Sequence, residues 1–110
     1  MKTITTNKQE PYASFVKDGL KTVEGRLNRG KFAELKIGDI MEMNDERTPF
    51  KVISKNIYPT FRTMLEAEGI SNVLPDRYTM DGGLEVYYEF YSKDEEKEFG
   101  VVAIHIKRLV

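Results

Sequence analysis

Three charged residues of this 110-residue chain are spaced to hold a polar ligand together: Lys21, Glu24 and Arg26, preceded by Gly19. Residues two apart on a strand share a face, so Glu24 and Arg26 point together while Val23 enters the core. In an ideal strand Lys21 faces away from Glu24; a turn at Gly19-Leu20 or a bulge at Gly25 is needed to swing it back. Gly19 supplies the backbone freedom for that turn. Arginine offers a planar fork and lysine a compact cation, and both suit a phosphate or a polarised carbonyl. A glutamate accepts from an exocyclic amine or orients a water as general base. The trio therefore suits a nucleotide or a similarly polar ligand. The same spacing also describes a surface salt-bridge ladder, which is worth little.

To act as base or nucleophile, Lys21 must shed its proton, which burial or a neighbouring cation promotes. Arg26 pushes its pKa down and Glu24 pushes it up, so Lys21 reads as a cation unless the cleft is dry. Arg29 and Lys31, in the glycine-containing loop that follows, are candidate extra phosphate contacts. Tyr58 and Tyr78 flank loops and are free to meet a ligand. Tyr87, Tyr88 and Tyr91 could stack bases, but their helical spacing favours core packing. His105 reads as a structural histidine, because no second metal ligand or nucleophile accompanies it.

The elements that must place these residues follow from periodicity and stop signals. Residues 2–6 read as a first strand. A helix over about 9–18 tolerates Pro11 in its first turn and ends at Gly19. Residues 21–27 read as a strand, 28–31 as a loop, and Gly38-Asp39 as a turn into a strand over 40–44. The polar Asp45-Glu46-Arg47 precedes a strand from Phe50 to Tyr58. Thr60 caps a helix carrying Phe61, Met64 and Leu65 that stops at Gly69. Ser71 to Leu74 forms a helical turn. Asp81 is read as the cap of a helix bearing Leu84, Tyr87, Tyr88 and Tyr91, and Ser92 opens a second helical piece with capping-box spacing. Gly100 stops it before a last strand, Val101 to Leu109, with Val102, Ile104 and Ile106 on one face. Strands and helices do not alternate regularly, so a doubly wound sheet is excluded in favour of a small, mostly antiparallel sheet or barrel with helices against its ends.

Bulk properties narrow the chemistry. Cysteine is absent and there is one histidine, so thiolate or histidine-cluster metal sites are excluded. Any metal would rest on carboxylates, which favours magnesium or manganese; no resident metal or cofactor is implied. Net charge is −1, but residues 1–36 hold eight Lys/Arg against four Asp/Glu, and residues 81–98 hold two against seven. That asymmetry orients an anionic ligand toward the N-terminal third. No apolar run approaches the ~18 residues of a membrane span, and Met1 to Asn7 lacks an apolar signal core. A cytoplasmic protein with no membrane contact is expected.

The pattern Gly19-x-Lys21-x-x-Glu24-x-Arg26 resembles the signature of the ASCH domain family. The Gly38-Asp39 turn and the ending from Tyr87-Tyr88-Glu89-Phe90-Tyr91 to Gly100-Val101-Val102-Ala103-Ile104 resemble its small bacterial members. The resemblance covers nearly all of residues 1–110 and implies a single domain of α+β class: a PUA-like small β-barrel of mainly antiparallel strands with helices around it. It implies a cleft beside the signature that binds RNA or a modified nucleoside or nucleotide, and it points to no known protein partner. Gly19 would make the turn, Lys21 and Glu24 would face the cleft, and Arg26 would hold the phosphate or brace Glu24. One branch of the family hydrolyses acetylcytidine with a lysine, a threonine three residues later and a distant glutamate. Lys21 matches the lysine, Glu24 stands in place of the threonine, and Glu68 matches the distant glutamate. Other members resemble metal-assisted ribonucleases, in which Glu24 and Glu68 would serve as carboxylate ligands.

Overall fold

A computed structural model describes residues 1–43 and 48–109. In chain order these form β1 (Thr3–Thr6), α1 (Tyr12–Lys17), β2 (Val23–Leu27), α2 (Gly30–Glu34), β3 (Ile40–Met43), β4 (Thr48–Tyr58), α3 (Phe61–Glu68), α4 (Ile70–Val73), α5 (Met80–Tyr88), α6 (Lys93–Phe99) and β5 (Val101–Arg108). The expected strand end at Asn44 and the polar Asp45-Glu46-Arg47 lie outside the described residues.

The strands form one sheet in the order β1-β3-β4-β5-β2. β1 runs parallel to β3, with Thr3 opposite Ile40; the other three pairings are antiparallel. The α+β class and the mainly antiparallel sheet therefore stand, and the closed barrel is corrected. The sheet curls into a half-barrel, and no backbone ladder joins β1 to β2 among the described residues. A side chain bridges the seam instead: Arg26 Nη2, on β2, donates to Thr6 Oγ1 on β1 and to the Asn7 carbonyl, each at 3.2 Å.

Alternation along β5 builds a core on each face of the sheet. Val102, Ile104 and Ile106 pack with Met41, Phe50 and Val52. Val101 and Ala103 pack with Val23, Leu27, Phe61 and Leu65. Each large apolar side chain so buried contributes about 1.5–3 kcal/mol. A register shift between Val52 and Ser54 keeps both faces apolar where they must be.

Local signals set most helix ends. Thr60 caps α3 in a reciprocal capping box with Thr63, and Gly69, at φ +91°, ends it. Ser92 and Glu95 form the same device at α6. Three readings change. Thr79, not Asp81, caps α5, its Oγ1 accepting from Gly82 N at 3.0 Å. Helix α1 starts only at Tyr12, with Pro11 just outside it and the Glu10 carboxylate accepting from Ser14 N at 3.0 Å. Helix α2 occupies ground read in part as loop. Lys55 holds its C-terminal end from across the fold, donating to the carbonyls of Phe32, Ala33 and Leu35 at 2.7 to 3.1 Å. Among the described residues no helix is long and apolar enough to cross a membrane.

Candidate functional site

The end of α1 decides where Lys21 goes. Gly19 takes φ +78°, a region that favours glycine. Both Leu20 N and Lys21 N then donate to the Phe15 carbonyl, at 2.9 and 3.0 Å. The chain leaves the helix in this turn, and β2 begins only at Val23. Lys21 is thus released from the strand alternation that would have turned it from Glu24, as the sequence reading required. Its ammonium donates to the Val23 carbonyl at 2.8 Å and to the Val73 carbonyl.

Glu24 and Arg26 share a face of β2, opposite Ile104 and Val102. Arg26 Nε lies 3.6 Å from Glu24 Oε1, and the Lys8 ammonium lies against Glu24 Oε2. The guanidinium also covers the Phe32 ring at 4.7 Å. Arg26 is therefore a brace across the seam and beside Glu24 rather than an open phosphate fork.

Lys21, Glu24 and Arg26 line one cavity of about 450 Å³, a size that suits a small-molecule or nucleotide site. Asn7, Lys8 and Gln9 form one bank, and Leu74, Val86 and Phe90 belong to the other. Tyr12, Tyr87 and Tyr91 add aromatic surface. Gly25 forms part of the floor: a Cβ there would come within 2.7 Å of both Met64 Cε and Tyr87 Oη. Ile106 N donates to the Thr22 carbonyl, so even-numbered residues of β2 bond to β5. Val23 and Gly25 accordingly turn their peptide groups to the open edge. Lys21 takes the Val23 carbonyl, and Gly25 presents a backbone donor and acceptor.

Burial sets the electrostatics. Lys21 and Glu24 are each only 2 % exposed. Desolvation lowers the Lys21 pKa to about 7, with Lys8 and Arg26 adding to the fall and Glu24 and Asp76 opposing it. The dry-cleft condition is met, so Lys21 exchanges between ammonium and neutral amine near neutrality. Two carbonyls accept from its nitrogen, so in the neutral amine both N–H bonds are engaged and the remaining valence is a lone pair. Burial alone would raise Glu24, but Lys8, Arg26 and Lys21 together outweigh it and hold the carboxyl at about 2. Burial also lowers Lys8 and raises Tyr87 well above the usual phenol range. Tyr87 therefore keeps its hydroxyl proton as a donor.

The other sequence-selected residues lie elsewhere. Gly19 lines a second, smaller cavity on the far side of the turn. Glu68 does not line the first cavity. Its Oε1 pairs with His105 Nε2 at 2.7 Å, and its Oε2 accepts from Asn56 Nδ2 at 3.0 Å and from the Tyr58 hydroxyl. Tyr58 is committed to that cluster. Arg29 Nη1 pairs with Glu95 Oε2 at 3.0 Å and covers the Phe99 ring. Lys31 donates to the Thr5 carbonyl. Spacing and periodicity do not mark Lys8, Tyr12 or Phe90 for the site, and for Tyr87 and Tyr91 they favour packing. Tyr87 in fact does both, stacking on Phe61 with centroids 4.3 Å apart while lining the cavity.

The donor set does not fit a divalent cation. Glu24 and Glu68 do not share a cavity, three cations already surround Glu24, and the described residues contain no group of three His, Asp or Glu able to hold a metal ion. A magnesium or manganese ion would enter a net positive field.

Comparison with known proteins shows the family and the fold. The crystal structure of hypothetical protein PH0355 is 40% identical, superposes with a TM-score of 0.93, and matches over 99% of this chain and 100% of that one. The solution structure of protein PF0455 from Pyrococcus furiosus is 36% identical, with a TM-score of 0.84 and 97% of each chain covered. No match is found among curated proteins. The ASCH domain profile matches residues 7–109, which takes in the turn at Gly19 and the residues lining the cavity, and the chain belongs to the ASCH domain family.

Proposed function

We propose that the cavity receives a single nucleotide, either free or as one unit of an RNA strand. The observation that carries this reading is the pairing of aromatic walls with a buried cluster of mixed charge. Tyr12, Tyr87, Phe90 and Tyr91 offer ring surface for a base. Lys21, Glu24 and the Gly25 peptide offer donors and acceptors for its polar edge. With Lys8 and Arg26 charged and Glu24 ionised, the cluster is net positive, which favours an electron-rich base edge or a nearby phosphate. Membership in the ASCH family supports an RNA ligand at the level of the family.

Titration of short RNAs and nucleoside monophosphates at low salt tests the reading. Wild type should bind. Tyr91→Ala should weaken binding roughly 10- to 100-fold, the range for loss of one base–aromatic stack. Lys21→Met should weaken it as well while retaining a cooperative melt. A wild type that binds none of these ligands, or equal binding by all three proteins, overturns the reading.

A second reading is favoured by one observation, the Lys21 pKa of about 7. A lysine so tuned can serve as a general base near neutrality. On an acylated exocyclic amine, neutral Lys21 would take a proton from water as the water oxygen attacks the acyl carbon. Collapse would break the C–N bond, and the Lys21 proton would pass to the departing amine, giving free amine and carboxylic acid. The carboxylate beside this lysine is Glu24, since Glu68 lies outside the cavity. Acetate release from acetylcytidine should rise with pH, with its midpoint at about 7, and vanish in Lys21→Met. Release that is absent, or unchanged in the variant, overturns it.

A further inference from the structure

The turn that carries Lys21 has a second side. A cavity of about 300 Å³ lies there, and Lys21 is part of the wall of both cavities. Its apolar floor is Val16, Phe50 and Ile106, and its rim includes Lys17, Lys107 and Arg108 with one carboxylate, Asp18. Three cations against Asp18 leave this rim net positive without counting Lys21, although the Glu10 carboxylate also acts on Lys17 from outside it. Arg108 is placed by the fold: its Nη1 donates to the Lys17 carbonyl at 3.1 Å, which ties the end of β5 to the end of α1. An arginine carries five N–H donors in a fixed fork, so one tether leaves others for an oxyanion. The backbone cannot supply that anion contact, because the amides of Asp18, Gly19, Leu20 and Lys21 all donate to carbonyls of α1, those of Ser14, Val16 and Phe15. Side chains must therefore carry any recognition here.

Resting on the nucleotide reading above, we propose that this second cavity is a phosphate subsite, in which Arg108 and Lys17 hold the phosphate of the next nucleotide in the strand, beyond the one bound in the first cavity. The signature then has a divided task. Gly19 shapes the phosphate side, Glu24 and Arg26 shape the base side, and Lys21 stands between them. Gly19 suits that place because open space surrounds its Cα on the side-chain side, which leaves room for an approaching strand.

The full chain is titrated with a nucleoside monophosphate, a trinucleotide and inorganic phosphate, comparing wild type, Lys21→Met, Tyr91→Ala, Lys17→Ala, Arg108→Ala and the control Lys97→Ala on α6. Arg108 and Lys97 are exposed and Lys17 is half-buried, whereas Lys21 is buried, so each variant is first checked for a cooperative melt like that of wild type. Arg108→Ala and Lys17→Ala should each weaken the trinucleotide about 3- to 10-fold while leaving the monophosphate unchanged. Each should also reduce the slope of log affinity against log salt by about 0.7, the value for one phosphate of a single strand. Lys97→Ala should change neither. Saturable binding of inorganic phosphate that is lost in Arg108→Ala would identify a free-anion site instead and overturn the RNA assignment. Trinucleotide binding that is equal in wild type and both variants overturns the subsite and leaves the first cavity standing. Trinucleotide binding lost in Arg108→Ala but untouched in Tyr91→Ala would put RNA on the second cavity alone and overturn both the first reading and the proposed link between the cavities. A wild type that binds nothing overturns both.

Discussion

Two glutamates lie at comparable depth in this fold and are treated in opposite ways. Glu24 is surrounded by cations: Lys8 on one oxygen, Arg26 near the other, Lys21 close by. Glu68, whose side chain is 6 % exposed, is surrounded by groups that carry no permanent charge: the Tyr58 hydroxyl, the Asn56 amide and the His105 ring. Both carboxyls are held below their ordinary value, against burial in each case, but by charge at Glu24 and by hydrogen bonds first at Glu68. Neutral donors satisfy a carboxylate and leave nothing over, so the Glu68 cluster is a tie between α3, β4 and β5. Cations in excess leave a field, and a field beside an aromatic cavity is what a ligand site needs.

The sharpest way to break this contrast is Glu24→Gln. Three buried or half-buried cations would lose their shared carboxylate, and breaking such a buried arrangement costs about 3–5 kcal/mol. Urea unfolding should show that loss, and NMR titration should show the Lys21 pKa falling below about 7, because Glu24 is the largest influence holding it up. The pH signs follow from the same groups. Glu24, low in the folded state, contributes stability above its ordinary pKa of 4.5 that disappears as pH falls toward about 2. Lys21 is depressed from 10.5 to about 7, so the unfolded chain binds more protons between those values. Wild type should therefore gain stability relative to Lys21→Met as pH rises from 7 to 10.

Gly25→Ala separates shape from charge. Its methyl group would lie 2.7 Å from Met64 Cε and Tyr87 Oη, and overpacking of this kind costs about 1–3 kcal/mol. Nucleotide affinity should fall while the Glu24 and Lys21 titrations stay in place. The smallest effect is expected at the other glutamate. Glu68→Gln removes a charged acceptor but keeps an amide oxygen for one partner, a loss of about 1–2 kcal/mol. Thermal melting should record it, with ligand affinity in the cavity unchanged. A Glu68→Gln that abolished binding would erase the distinction between the two carboxylates.

The charged core of the site was legible because it is local. Lys21, Glu24 and Arg26 lie within six residues, and the turn that unites them is signalled by Gly19. What escaped was non-local. Lys8 meets Glu24 only because the sheet curls until its first and last strands face each other. Tyr87 satisfies a helical core pattern, and nothing in that pattern says that one side of a core residue faces a cavity. Glu68 was drawn toward the site by resemblance, but a strand partner, His105, claims it. The depressed pKa of Lys21 comes from burial, and burial is a property of the assembled fold rather than of spacing. The missing backbone closure between β1 and β2 has the same origin, since periodicity finds strands and not their order.

β1 sits at an outer margin of the sheet, is four residues long and pairs on one side only, with β3. The residues that follow it, Asn7 to Gln9, are the near bank of the cavity. A short margin of the sheet and a wall of the cavity are thus one continuous stretch of chain. A ligand held against Asn7 to Gln9 would favour the paired state of that margin, so ligand addition should raise the hydrogen-exchange protection of β1 amides.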